Sequence, residues 1–197
     1  MRPGSAGKAL IAGVATAGAL ALALLRPSQS QIGDRAGESV AAFAKVASVL
    51  TSPRCQNCHT LADFPRQGDD RHPHLFHITR GSADHGAAGL PCSTCHGNSN
   101  NIASGVPGTA ELWRLAPVAM GWDDLSTADL CRHLKDPQRN GHRDGVQIID
   151  HLKSHLVTWA WSPGSDRDGH PRTLPPIPYQ EFLEAAEIWV RNGVACP

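Results

Sequence analysis

Cys55-Gln56-Asn57-Cys58-His59 and Cys92-Ser93-Thr94-Cys95-His96 decide how this chain is read. Both fit C-x-x-C-H, the attachment pattern of c-type haem. The spacing has a physical cause. Two thiols three positions apart reach the two vinyl groups of one porphyrin, and the adjacent histidine lies under the iron as an axial ligand. Cys55, Cys58, Cys92 and Cys95 are thus the expected covalent haem attachments, with His59 and His96 as proximal ligands of two haem c groups. Two other chemistries use paired cysteines. Two C-x-x-C pairs can form a four-thiolate zinc site, and one pair can be a thioredoxin-like redox couple. Neither explains a histidine directly after both pairs.

Outward from the motifs, the chain is punctuated rather than periodic. Before the first motif, Val40, Phe43, Val46 and Leu50 stand at helical spacing with Ser39 in N-cap position. From Ala62 to Pro91 the chain is polar and turn-rich, with Gly68-Asp69-Asp70 and Gly81 as breaks, and another loop runs from Gly97 to Gly108. Ser126 with Asp129 three positions on reads as a helix start, and Asp136-Pro137 as its stop. Val146, Ile149, Leu152 and Leu156 line one face of a further helix that ends near Trp161-Ser162-Pro163-Gly164. A last helix follows Pro178, with Phe182, Ala185, Ala186 and Trp189 on one face and Asn192-Gly193 closing it. No run alternates with period two. The expected fold is all-α: short helices and long loops packed around two covalently bound haems.

Composition agrees with a loop-rich chain that needs an added apolar centre, since 19 Gly and 15 Pro fall in 197 residues. Lys plus Arg equals Asp plus Glu, 18 each, and no basic run occurs, so a nucleic-acid partner is excluded. Nor does the chain place a carboxylate pair, a Ser/His/Asp set or a phosphate-binding glycine loop at working spacing. At the N-terminus, Arg2 and Lys8 precede an apolar stretch from Ala9 to Leu25, with Arg26 behind it. This is the pattern of a secretory signal or, without a clean cleavage site, an uncleaved membrane anchor. Residues 1–30 are therefore expected to be an export segment, and 31–197 a periplasmic dihaem domain. Cys131 and Cys196 remain outside the motifs. In an oxidising compartment an even remainder suggests a disulfide, the alternative being two separate buried thiols.

A wider set of residues resembles a known family. In order it comprises Arg54 before Cys55 and Asn57; Gln67-Gly68-Asp69-Asp70 before Pro73-His74; Arg80-Gly81; the second motif; Pro107-Gly108; and Met120-x-Trp122. It continues with Leu130-Cys131-Arg132-x-Leu134-Lys135-Asp136, Arg139-Asn140-Gly141, His151, Leu156-Val157-x-Trp159-Ala160-Trp161, Pro163-Gly164, Trp189-Val190, Gly193 and Cys196-Pro197. The pattern is similar to exported c-type cytochromes named isoquinoline 1-oxidoreductase subunits, across nearly everything after Leu50. The resemblance implies a dihaem electron carrier that accepts electrons from a periplasmic molybdenum hydroxylase of the xanthine-oxidase type. It would pass them toward the respiratory chain, with no substrate chemistry of its own.

A low-spin carrier needs a sixth ligand on each iron. His74, in the loop between the motifs, and His151, on the Val146–Trp159 stretch, are the expected distal ligands. Met120 is the alternative for one of them. His77 and His155 stand beside the two histidines as substitutes. If one iron instead kept an open sixth position, the chain would be a dihaem enzyme of the cytochrome c peroxidase kind.

Overall fold

A computed structural model describes residues 28–197. The expected export segment 1–30 therefore lies almost wholly outside the described residues. The chain divides into two compact units, Met1–Arg35 and Ala36–Pro197. In the first, residues 29–35 form opening turns of a helix. Among the described residues no helix is long and apolar enough to cross a membrane.

Among the described residues six α-helices appear in order: α1 (Gln29–Leu50), α2 (Pro53–Gln56), α3 (Thr127–Lys135), α4 (Gly145–Leu152), α5 (His155–Thr158) and α6 (Tyr179–Arg191). Two antiparallel hairpins stand between the motifs: β1 (Arg66–Gln67) with β2 (His72–Pro73), and β3 (Gly86–Ala87) with β4 (Leu90–Pro91). The all-α expectation is therefore wrong. Helices hold 44% of the described residues and extended pairs 7%. Strands of two residues are too short to display an alternation, so period-two reading cannot find them. What specifies them is turn geometry. Gly68 sits at φ +78° in the first hairpin, and a Cβ on Gly81 would lie 1.8 Å from the Gly86 carbonyl oxygen beside the second.

The core forms where α1, α3, α4 and α6 turn their apolar faces together. Phe43, Val49, Leu130, Cys131, Phe182 and Trp189 are its most buried members. The rings of Phe43 and Trp189 are 5.0 Å apart, and Trp161 packs against Tyr179 and Phe182. Ser39 does not cap α1, which starts ten residues earlier. Buried instead, its hydroxyl donates to the Trp189 carbonyl and accepts from the Ala195 N–H, each at 3.0 Å, joining α1 to α6 and the C-terminus. Ser126 caps α3 as expected, accepting from the Asp129 N–H at 3.1 Å. The Val146–Trp161 stretch is not one helix. Ser154 accepts from the Val157 N–H and starts α5 anew, and Val146, expected on the apolar face, is exposed. The expected disulfide is present: Cys131 and Cys196 are bonded with Cα atoms 5.6 Å apart, tying α3 to the C-terminus.

Candidate haem-attachment sites

The two motifs share one backbone conformation. In each, the second cysteine's N–H lies 3.2 Å from the first cysteine's carbonyl oxygen, and the histidine's N–H 3.0 Å from the same oxygen. This single tight turn holds the two cysteines and the histidine of each motif close together. The first motif takes its turn from α2, opened by Pro53 at a position with no N–H to lose. The second takes it from a short 3-10 turn, Cys92–Thr94. All four motif cysteines carry free thiols.

Each motif histidine is held in the same way. His59 Nδ1 donates to the Met120 carbonyl at 2.9 Å, and His96 Nδ1 to the Pro107 carbonyl at 2.8 Å. A carbonyl can only accept, so Nδ1 carries the proton and Nε2 keeps its lone pair for a metal. One indole then lies flat on each imidazole: Trp122 on His59, with centroids 3.6 Å apart and planes 6° from parallel, and Trp113 on His96 at 4.0 Å and 11°. Burial pushes His59 down to about 3, so it stays neutral and able to ligate. His96 is lowered by the same cause.

The thiols point away from the two rival chemistries. Burial pushes Cys55 up to about 12 and Cys58 up to about 11. A thioredoxin-like pair needs the opposite, a thiol lowered toward the ambient pH. Among the described residues no three His, Cys, Asp or Glu side chains converge in the way a bare-ion site requires.

The donor set does fit a porphyrin. Arg54 Nε and Trp122 Nε1 are buried beside the first motif without a hydrogen-bond partner, N–H groups of the kind that propionate carboxylates satisfy. The other sequence candidates divide by environment. His74 is half-buried with its ring 6.2 Å from the His96 ring, the planes 56° apart, whereas His77 is exposed. His151, at the end of α4, is half-buried and pushed by burial down to about 4, and its charge is felt at His59. His155 is exposed at the start of α5. Met120 offers His59 its carbonyl, while its Sδ lies against Gly141, 3.6 Å from where a Cβ there would sit.

Sequence reasoning missed several participants. Trp113 and the carbonyl role of Pro107 leave no spacing signal, because stacking and hydrogen bonding join residues far apart in the chain. His133 on α3 is buried, near enough to His59 to lower it. His85 donates from Nδ1 to the Trp113 carbonyl at 3.0 Å. The one available hint was tryptophan itself: five of ten aromatic residues are Trp. No family model matches the chain, and neither a curated protein nor a solved structure does.

Proposed function

We propose that this chain is an exported dihaem c-type cytochrome that carries electrons. The observation that carries the reading is the repeated centre: two C-x-x-C-H turns, each with a carbonyl-locked imidazole and an indole stacked on it. Bound haem c supplies a one-electron iron couple. The chain does the rest. Cys55 with Cys58, and Cys92 with Cys95, hold one porphyrin each. His59 and His96 present Nε2, and the locks on Nδ1 fix both tautomer and ring angle. Trp122 and Trp113 keep the rings from turning, and Arg54 and Trp122 offer N–H donors to carboxylates. His151 is the sixth-ligand candidate for the first centre, Met120 its alternative.

The donor we propose is a periplasmic molybdenum hydroxylase, with a respiratory acceptor downstream; the family resemblance supports that partner. Holoprotein made with c-type maturation should gain the mass of two haems. Apoprotein, or protein holding zinc, would end the reading. A resting spectrum that is high-spin and binds small ligands at one iron would redirect it to a peroxidase-like enzyme.

A further inference from the structure

His74 follows β2 directly, and the β1–β2 hairpin is clamped to the first motif. The Arg66 N–H donates to the Asn57 carbonyl at 2.9 Å. Asn57 Nδ2 donates to the Gly68 carbonyl at 2.8 Å, and Arg71 Nη1 to Gln56 Oε1 at 2.8 Å. Asp69, in the hairpin turn, pairs with buried Arg54. Yet the His74 ring does not turn back to His59. It faces His96, of the second motif.

The separation is informative. A histidine nitrogen binds a metal at about 2.0–2.1 Å and the ring centre lies roughly 1 Å beyond, so imidazoles on opposite sides of one ion have centroids about 6 Å apart. His74 and His96 stand at 6.2 Å. His74 Nδ1 donates to the Leu75 carbonyl at 2.9 Å, so its Nε2, like that of His96, is the atom with a free lone pair. The backbone around His74 is held at both ends. Its N–H donates to the Pro65 carbonyl at 3.0 Å, and the Leu75 N–H to Gln67 Oε1 at 3.2 Å. Phe76 and His77 then take left-handed φ of 65° and 50°, a conformation that non-glycine residues keep only where the surrounding structure enforces it.

We propose that His74 is the sixth ligand of the haem attached at Cys92 and Cys95, and not of the haem nearer the hairpin's anchor. The proposal rests on the dihaem reading. It makes the hairpin a bridge: one end grips the first attachment turn, and the other supplies an axial ligand to the second haem, fixing the two haems relative to each other.

The test is spectroscopic. His74→Ala holoprotein should keep two haems by mass, with half of its ferric haem turned high-spin and restored to low-spin by added imidazole. His74→Met should give a far-red thioether charge-transfer band on one haem and raise that haem's potential. Repeating both in a Cys92→Ala/Cys95→Ala background, which retains only the first haem, should abolish both effects. The assignment is overturned by unchanged low-spin spectra in both His74 variants. The same holds if the effects persist in that background, or if His85→Ala alone produces the high-spin half. Wild-type protein without covalent haem would remove the dihaem reading itself, a result distinct from these.

Discussion

The first and second motif centres use one design in unlike surroundings. At the first, His59 is locked by a carbonyl 61 residues away, and Trp122 belongs to the main core with Phe43, Leu130 and Trp189. At the second, the lock comes from Pro107, 11 residues away, Cys95 is exposed, and the surrounding chain is mostly loop. The contrast teaches that the centre is a local device, a turn plus a carbonyl plus an indole, and can be mounted on a helical core or on loops. Burial acts on thiols at both centres: Cys55 and Cys58 of the first motif are driven strongly upward, and Cys92 of the second is raised, again chiefly by burial.

The sharpest way to break this contrast is to remove the two indoles. Trp122→Ala should cost about 5 kcal/mol and Trp113→Ala about 3 kcal/mol in denaturant melts of holoprotein, the range for large core truncations. Equal losses would mean the second centre is as deeply built as the first. Next, replacing Cys131 and Cys196 with Ser should cost about 4 kcal/mol, because the bond closes a 65-residue span. Hydrogen exchange should quicken in α3 and at the C-terminus and stay unchanged across 85–107. Third in size is the link between centres. Buried Arg80 donates to the Thr60 and Ala62 carbonyls after the first motif, pairs with Asp84 before the second, and reaches the Ala116 carbonyl. Arg80→Ala should cost about 3 kcal/mol. Arg80→Lys should recover only part, since an ammonium lacks the planar fork; full recovery would argue that charge alone matters.

The smallest effect concerns pH at the first centre. Burial would raise Asp123, but the Leu61 N–H and the Arg71 guanidinium outweigh it and hold the carboxyl below its ordinary value. A depressed carboxyl stabilises the fold above its unfolded-state pKa, and that contribution fades as pH falls through the folded value. Asp123→Asn should therefore cost about 1 kcal/mol at neutral pH. Acid unfolding below about pH 4 should be shallower in the variant than in the wild type; superimposable acid limbs would refute this role.

What the sequence determined by itself is the local structure carried by contiguous residues. Each C-x-x-C-H turn, the Ser126 cap, the Pro137 stop and the apolar face of α6 depend on neighbours within a few positions. The Cys131–Cys196 bond was legible for another reason: counting leaves one pair once the motifs are set aside. Tertiary structure decided everything that joins distant positions. It alone stacks Trp122 on His59 and Trp113 on His96, buries Ser39 against Trp189, breaks the 146–161 stretch at Ser154, and sets His74 opposite His96 rather than His59. The physical reason is range. Helix caps and the C-x-x-C-H turns are hydrogen-bonded between near neighbours, so spacing encodes them. A two-residue strand, a ring stack or a carbonyl lock depends on where the rest of the chain comes to lie, which no local period records.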